Sequence, residues 1–407
     1  MSIGYEIGIR SYKTAIYAAS FFNTKAKLWL KGRIETFDFL TKNISSKDKI
    51  IWIHAASLGE FEQGRPIIEA IKEHHKEYKI LLTFFSPSGY EVRKNYHLAD
   101  VICYLPLDTL KNAHQFINIV KPKKAFFVKY EFWQNYLRLL YNNKIPVYLV
   151  SGIFRPEQLF FKNSGRKYRT VLNYFEHFFI QNQVSGDLLK SVGIENFTVC
   201  GDTRFDRVID IANRTKDLPE IIEFIGNSKV IVAGSTWEKD EDILIKYINE
   251  NNNVKLIIAP HEIKETNLKR IENNVKQFIL RYSKIKENNP KDFAVLIIDN
   301  IGMLSILYKY GQVAYIGGGF GAGIHNILEA AVYGVPVLFG SKYQKFDEAK
   351  ELIKLGGAIS INDYQEFKTK MDLYFSNDKI LKTTSEISKK FVANSAGAVD
   401  TIMKSCF

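Results

Sequence analysis

Short apolar runs alternate with longer amphipathic segments along most of this 407-residue chain. Such alternation predicts β-strands joined by crossover helices, and therefore parallel sheets of the α/β class. The strands predicted in the first half cover residues 50–54, 79–84, 101–104, 125–129, 147–151, 177–180 and 198–199. Those predicted in the second half cover residues 230–234, 255–259, 294–298, 313–316 and 335–339. We therefore expect two doubly wound, Rossmann-like domains that face a cleft.

The chain is too long for one ordinary hydrophobic core, which favours two domains. Residues 207–228 lack a convincing strand pattern and carry Pro219 and Gly226, so they are interpreted as the connection. The last residues have a helical pattern and are expected to pack back on the first domain. The predicted regions are a basic amphipathic, membrane-proximal helix (1–35), an N-terminal acceptor-binding domain (36–206), a C-terminal nucleotide-sugar domain (229–386) and a C-terminal helix (387–407).

Composition narrows the functional classes. The net charge of +12 is compatible with nucleic acid, an anionic membrane surface or a phosphorylated substrate. The basic residues form no long tract and no zinc-finger or RNP-like motif is present, so nucleic acid is not expected as a partner. Cys103, Cys200 and Cys406 lie far apart, and the histidines form no HExxH pair. No metal site is therefore predicted, and a reducing compartment is favoured.

The first residues suggest a membrane surface. No run approaches the ~20 apolar residues that span a bilayer, and residues 15–22 lack a signal-peptide cleavage pattern. Tyr5, Ile9 and Tyr12 share one helical face, and aromatic residues mix with lysines between positions 21 and 33. This pattern suits a helix at a membrane interface. The alternative is a helix docked on its own domain.

A single carboxylate follows the first predicted strand. The apolar run that begins at Ile51 ends in small residues, including Ser57 and Gly59. Glu60 follows them and precedes an amphipathic segment. Ligands of α/β sheets bind at such strand-to-helix turns, where a carboxylate can act as a general base. Alternatively, Glu60 only interacts favourably with the first helical turn.

The second half has similar strand ends. A Gly-rich turn with Gly318 and Gly319 precedes a helix expected to begin near His325 or Asn326. Glycines let a ligand approach the backbone, and a helix start presents free N–H groups to anions, although the glycines alone would also serve a tight turn. The turn is neither a Walker loop nor a good dinucleotide fingerprint. Ser235 and Thr236 follow another strand, either as helix caps or as holders of a phosphate or carboxylate.

Many spaced motifs in one order carry a family resemblance. They are HAASLGE, TFFSPSGYE, YLPLD, KYEFWQN, GDTRFD, GSTWE, IIAPH and IGGGFGAGIHNILEAAVYGVPVLFG, spread over about residues 50–360. Together they resemble the 3-deoxy-D-manno-octulosonic acid (Kdo) transferases of lipopolysaccharide synthesis.

The resemblance implies the glycosyltransferase B fold, CMP-Kdo as donor and a lipid A precursor (lipid IVA) as acceptor. It also implies inversion without a catalytic metal or cofactor, at the cytoplasmic face of the inner membrane. Carried over, the catalytic base is Glu60, and Glu131 of KYEFWQN lies near the reacting sugar unless it is a structural carboxylate beside Lys129. The CMP contacts fall on Pro260, His261, Ile301, Gly302, Met303, Asn326, Ile327, Leu328 and Glu329.

The chain departs from the family pattern at two positions. Many members have Pro-Arg-His where this chain has Pro260-His261, and Lys264, Arg204 or Arg207 are candidates to replace the missing arginine. Residues 151–155 stand where members of the family have an NAR-like motif. The sequence therefore does not identify the residue whose positive charge balances the Kdo carboxylate. The basic-aromatic segment 160–169 either meets phosphorylated lipid or is a solvated helix face.

Other functions remain as alternatives. One is another B-fold glycosyltransferase, or an epimerase, that uses a UDP-sugar. A different class is a non-catalytic basic protein that binds a membrane surface or nucleic acid.

Overall fold

The structure is a computed structural model that describes residues 3–407 and divides into two compact units. Unit 1 runs to Asp206 and also contains Ala396–Phe407, whereas unit 2 is Arg207–Ser395. Residues 207–228, interpreted from the sequence as a connection, therefore lie entirely in unit 2.

Unit 1 is built on one sheet of seven parallel strands. They are β1 (Ile50–Ala55), β2 (Lys79–Phe84), β3 (Val101–Tyr104), β4 (Lys124–Val128), β5 (Val147–Gly152), β6 (His177–Ile180) and β7 (Phe197–Val199). Their order is β3-β2-β1-β4-β5-β6-β7. The winding direction reverses between the paired strands β1 and β4, and a crevice opens beyond the carboxyl ends of the strands at such a point.

Helices cover both faces of this sheet. They are α1 (Ile3–Ala19), α2 (Thr24–Lys31), α3 (Thr36–Asn43), α4 (Leu58–His74), α5 (Pro87–Arg93), α6 (Leu110–Val120), α7 (Gln134–Asn142) and α8 (Gln183–Ser191). Helix α9 (Thr203–Arg214) begins in unit 1 and continues into unit 2. All six residues of β1 are buried, because a parallel strand between two helical layers packs side chains on both faces. One apolar cluster lies on each face of the sheet.

Unit 2 repeats the design with a second parallel sheet. Its strands are β8 (Lys229–Thr236), β9 (Val254–Pro260), β10 (Ile279–Arg281), β11 (Val295–Ile297), β12 (Val313–Ile316), β13 (Val337–Gly340) and β14 (Ala358–Ile361). Its helices are α10 (Pro219–Ile225), α11 (Glu238–Glu250), α12 (Glu265–Asn274), α13 (Leu304–Leu307), α14 (Leu328–Ala331), α15 (Asp347–Leu355), α16 (Tyr364–Ser376) and α17 (Asp378–Asn394). The order β10-β11-β9-β8-β12-β13-β14 places the reversal between β8 and β12.

The end of the chain returns to unit 1. Helix α18 (Ala398–Cys406) packs on α4, and the ring of Phe407 stacks on His75 with centroids 4.3 Å apart. The single helix predicted over 387–407 is wrong in detail. Gly397, with φ of +110°, separates α17 from α18, because only glycine adopts such a conformation at little cost.

The predicted α/β class and the doubly wound sheets are confirmed, and each predicted strand corresponds to one in the structure. The two strands that the pattern missed, β10 and β14, are edge strands of three and four residues. The helix expected near His325 begins at Leu328 instead. Across residues 3–407 we find no helix with the length and apolar character that crossing a membrane requires.

Candidate active site and donor site

Glu60 lies where β1 passes into α4, at the reversal point of the first sheet. Ser57 precedes the first helical residue, Glu60 is the third residue of α4, and the Ser57 hydroxyl donates a hydrogen bond to the Glu60 carboxylate. Glu60 is only 7% exposed. Its negative charge interacts favourably with the helix N terminus, so the electrostatic and the functional interpretations of Glu60 describe the same position. Gly59, one residue earlier, is exposed.

Glu131 follows β4, which is the neighbour of β1, and lies in a buried polar network. The indole N–H of Trp133 is 2.8 Å from Glu131 Oε2 and 3.0 Å from His54 Nε2. His54 Nδ1 is 2.9 Å from the Thr83 hydroxyl. Because the indole N–H can only donate, His54 Nε2 is an acceptor and its Nδ1 carries the proton. Glu131 is therefore a fixed, 9% exposed carboxylate at the sheet edge, with a defined hydrogen-bond geometry.

The Tyr130 hydroxyl lies close enough to both carboxylates, Glu60 and Glu131, for their charges to affect its pKa. Burial raises the pKa of Tyr130, the negative charges of Glu60 and Glu131 raise it further, and the positive charge of Arg155 opposes them. These groups therefore share one neighbourhood at the ends of β1, β4 and β5. Arg155 belongs to the segment that replaces the NAR-like motif, and it places an exposed cation there.

Three residues at strand ends, two in unit 1 and one in unit 2, have a strained backbone. Lys129 after β4, Ser151 in β5 and Ser235 in β8 have positive φ angles of 72°, 50° and 53°. A non-glycine residue in this region costs on the order of 1–3 kcal/mol and tends to occur at functional sites. The other two such residues among those described, Lys121 and Lys144, follow helices.

The proposed substitutes for the missing arginine have other partners. Arg204 forms an ion pair of 2.9 Å with Asp202, and Lys264 forms one of 2.7 Å with Glu262. Burial raises the pKa of Asp202, but the charge and hydrogen bonds of Arg204 outweigh burial and the pKa is lowered overall. In the segment 160–169, Arg169 donates to the carbonyl of Phe160, and the chain forms short 3₁₀ turns instead of a regular helix face. Contact of this segment with phosphorylated lipid stays a prediction.

In unit 2 the Gly-rich turn follows β12 and lies beside the end of β8. Asp240 accepts hydrogen bonds from the backbone N–H of Trp237 and Gly318 and from the Tyr315 hydroxyl, at 2.8–2.9 Å. A Cβ on Gly319 would lie 2.5 Å from the backbone nitrogen of Gly340, so this glycine is required for close packing. Gly318 has φ of +91°. Packing requires Gly319 and backbone conformation favours Gly318, while ligand binding by this turn stays a prediction.

Three aromatic rings stack at the mouth of this turn. The His261 ring stacks on Trp237, with centroids 4.5 Å apart, and on His325, with centroids 4.7 Å apart. The Trp237 indole N–H is 3.3 Å from His325 Nε2. The pKa of His325 is lowered to about 4, because burial disfavours its charged form and repulsion from His261 disfavours it further. His325 is therefore neutral near pH 7 and carries its proton on Nδ1.

The other residues predicted to bind a ligand in unit 2 differ in whether their side chains are accessible. Thr236 is buried and donates to Glu241 at 3.1 Å, as a structural hydroxyl does. Asn326 caps the start of α14 by accepting from Leu328 N–H, and donates to Glu329 Oε1 at 3.1 Å. The side chains of Ile327 and Leu328 are buried in the core, so only their backbone can reach a ligand.

Residues 301–303 form a loop before α13. Ile301 is 88% exposed and Gly302 has φ of +102°. Pro260 pairs with Thr236 at the end of β9, next to His261. The structure therefore groups Ser57, Glu60 and Glu131 in unit 1, and Ser235, Thr236, Pro260, His261 and Gly318 in unit 2.

Some residues of these sites were not singled out in the sequence. His54, Trp133 and Trp237 occur inside the motifs HAASLGE, KYEFWQN and GSTWE, but nothing in their spacing indicates that they bond or stack. Within residues 3–407, no three His, Cys, Asp or Glu side chains are grouped so as to hold a metal ion.

Comparison with known proteins relates this geometry to a family. Residues 31–207 match the family model described as 3-deoxy-D-manno-octulosonic-acid transferase (kdotransferase). The 3-deoxy-D-manno-octulosonic acid transferase of Aquifex aeolicus is 30% identical over 339 residues, covering 82% of this chain and 88% of that protein. The chain belongs to the Kdo transferase family. It is therefore a glycosyltransferase by family.

Solved structures of other proteins share the fold of this chain. UDP-GlcNAc 2-epimerase from Neisseria meningitidis aligns with a TM-score of 0.60 at 16% identity, over 88% of this chain and 99% of that one. MurG from Acinetobacter baumannii aligns with a TM-score of 0.53 at 9% identity, over 88% and 99%. At these identities the likeness concerns the fold alone, which is the glycosyltransferase B fold.

Proposed function

We propose that this Kdo transferase moves Kdo from CMP-Kdo to a lipid A precursor (lipid IVA), with inversion and with Glu60 as general base. The observation that supports this most is the buried Glu60 carboxylate at the reversal point of the first sheet, oriented by the Ser57 hydroxyl. Family membership supplies the reaction class.

In this mechanism an acceptor hydroxyl attacks the anomeric carbon of Kdo while its proton passes to Glu60. The bond between that carbon and the CMP phosphate breaks from the opposite face, and CMP leaves. Glu131, whose Oε2 is held by Trp133, is proposed to lie near the reacting sugar. We assign CMP to the surface formed by Pro260, His261, residues 301–303 and residues 326–329.

Replacement of Glu60 tests the base. A positioned general base contributes about 10²–10⁴-fold, so Glu60→Gln should lower kcat by about that factor while inhibition by CMP stays unchanged. The matched control is Glu69→Gln, because Glu69 lies on the same helix but pairs with Arg65 at 2.7 Å. Full transfer to lipid IVA by the Glu60→Gln protein would remove Glu60 as the base.

We further propose that the N-terminal helices attach the enzyme peripherally to the anionic cytoplasmic face of the inner membrane. Phe21 and Phe22 are 67% and 96% exposed, among the exposed residues Lys25 and Lys27. Apolar and basic side chains together favour an anionic interface.

The substitutions Phe21→Ser and Phe22→Ser in one protein should reduce sedimentation with anionic vesicles at least several-fold, because the apolar part of the attachment is lost. Phe278→Ser is the control, since Phe278 is 77% exposed in unit 2. Equal loss in both proteins, or no loss, would argue against this surface. Deletion of the whole segment is unsuitable, because Trp29 is 5% exposed and belongs to the core of unit 1.

A UDP-sugar remains the second candidate donor. It is the alternative that the sequence left open, and the likeness to UDP-GlcNAc 2-epimerase at 16% identity concerns the fold alone. Binding of UDP-GlcNAc without binding of CMP by the purified protein would favour this candidate.

A further inference from the structure

A cavity of about 450 Å³ in unit 2 lies beside the ring stack. One wall is residues 237–240 at the start of α11, and the other is Gly318, residues 320–323 and His325. This volume is within the range of small-molecule sites. None of the residues to which CMP is assigned above lines it, so the cavity is free for another part of the donor.

The walls are held in place before any ligand binds. Asp240 ties the N–H of Trp237 on one wall to the N–H of Gly318 on the other. The indole ring of Trp237 is covered on one side by His261 and remains 43% exposed. A flat, half-exposed aromatic ring offers a platform for the C–H face of a sugar.

The charged residues that line the cavity are Glu238, Lys239 and Asp240, all on its first wall. The Asp240 carboxylate already accepts hydrogen bonds from the N–H groups of Trp237 and Gly318 and from the Tyr315 hydroxyl. Lys239 is an exposed cation in the first turn of α11, whereas His325 on the other wall is neutral near pH 7. Glu238 also lines the cavity and supplies a carboxylate that can accept hydrogen bonds from sugar hydroxyls. Of the cations considered for the missing arginine, Arg204 and Lys264 are paired with Asp202 and Glu262.

We propose that this cavity holds the sugar-acid end of the donor, with Lys239 as the counter-ion of its carboxylate and Trp237 as the platform under its ring. The proposal rests on the proposed function, because it presumes a donor whose sugar bears a carboxylate. Lys239 is then a specificity-determining residue that separates a sugar acid from a neutral sugar.

Steady-state kinetics with CMP-Kdo and lipid IVA test the assignment, using the full chain. Hydrogen bonds to charged groups are worth enough to predict a rise of about 10- to 100-fold in the KM for CMP-Kdo in Lys239→Gln. The inhibition constant of CMP should change by less than about twofold, because CMP lacks the sugar acid. Lys239→Arg should recover most of the affinity.

The matched control is Lys246→Gln, because Lys246 lies on α11 but contacts the ring of Tyr364. Trp237→Ala should raise the same KM, and Trp237→Phe should raise it less. The circular dichroism spectrum of each protein should equal that of the wild type.

Two results overturn the proposal while leaving the proposed function intact. One is an unchanged KM for CMP-Kdo in Lys239→Gln, and the other is an equal rise in that KM and in the CMP inhibition constant, which would place Lys239 on the nucleotide. A wild-type protein that neither uses CMP-Kdo nor is inhibited by CMP would instead overturn the proposed function, and the sugar-acid site with it.

Discussion

His325 shows at the scale of one residue how burial and a neighbour shape a site. It lies under His261 in the ring stack, and its pKa falls from the usual 6.5 to about 4 because burial and His261 both disfavour its charged form. The unfolded chain therefore takes up a proton at this histidine below pH 6.5, whereas the folded chain does so only near pH 4. The stability from neutral His325 is complete above pH 6.5 and is lost as the pH falls from 6.5 to 4.

His325→Gln should flatten this part of the pH dependence. We expect the free energy of unfolding of the wild type to drop by roughly 1–2 kcal/mol more than that of His325→Gln between pH 7 and pH 4.5, after allowance for partial exposure. Urea titrations at pH 7, 5.5 and 4.5 measure this difference, with His114→Gln as the control, because His114 is exposed on α6. Parallel curves for wild type and His325→Gln would contradict the assignment.

Single residues also show what a sequence can predict about a site. The position of Glu60 at a strand-to-helix turn follows from local pattern, because Ser57, Gly59 and Glu60 are close in sequence. The network of His54, Thr83 and Trp133 does not, because its members come from three separate segments that only the parallel sheet brings together. The ring stack of unit 2 was missed for the same reason.

At the scale of elements, α1 has two different faces. Its inner face is docked on unit 1, since Tyr5 donates to Asp108 at 2.6 Å and Glu6 accepts from the Leu110 N–H at 2.7 Å. Its outer face leaves Ile7 and Tyr17 exposed. The docked-helix interpretation is therefore confirmed for the inner face of α1, and the interpretation as a membrane-interface helix stays a prediction for its outer face.

A series of aromatic contacts connects the inner face of α1 with Glu131 of the candidate active site. Tyr12 stacks on Phe85 at 6.1 Å, Phe85 contacts Trp133 at 4.6 Å, and Trp133 holds Glu131. We expect Tyr12→Ala to lower kcat up to about tenfold, because an aromatic pair is worth about 0.5–1.5 kcal/mol. The KM for CMP-Kdo should not change, as the donor residues lie in unit 2.

Tyr17→Ala is the control for this experiment, since Tyr17 is 59% exposed on the same helix and its ring packs on Phe21. Initial rates at saturating donor and acceptor measure the effect. If Tyr12→Ala and Tyr17→Ala behaved alike, contact with Phe85 would have no part in positioning Glu131.

The elements themselves were predicted unevenly. Central strands such as β1 and β8 are long, apolar and bounded by turn residues, so their pattern is clear. Strands β10 and β14 pair on one side only and need fewer apolar residues, which is why the pattern does not reveal them. The start of α14 was misplaced because Asn326 caps the helix from two residues ahead of Leu328.

At the scale of the whole molecule, each unit has its own sheet and its own apolar core. The alternation of strands and helices was enough to predict two doubly wound domains. The strand order was not predictable from it, because sequence spacing does not tell which strands become neighbours.

Separate cores should give two unfolding transitions. CMP at about a hundred times its Kd should raise the free energy of unfolding of one unit by about 2.7 kcal/mol, because it binds only the folded form. The other transition should stay in place, and scanning calorimetry with and without CMP measures both. A single transition, or a shift of both, would contradict independent cores.

The hydrogen bond from Gly397 N–H to Asp206, 2.7 Å long, has a topological consequence. This bond joins the end of the first segment of unit 1 to the start of its second segment. Unit 2 is therefore an insertion in the chain of unit 1. A short linker from Asp206 to Ala396 should therefore close unit 1 in the absence of unit 2. Because unit 2 is one continuous segment, another nucleotide-binding domain can replace it without any change in the chain connectivity of unit 1.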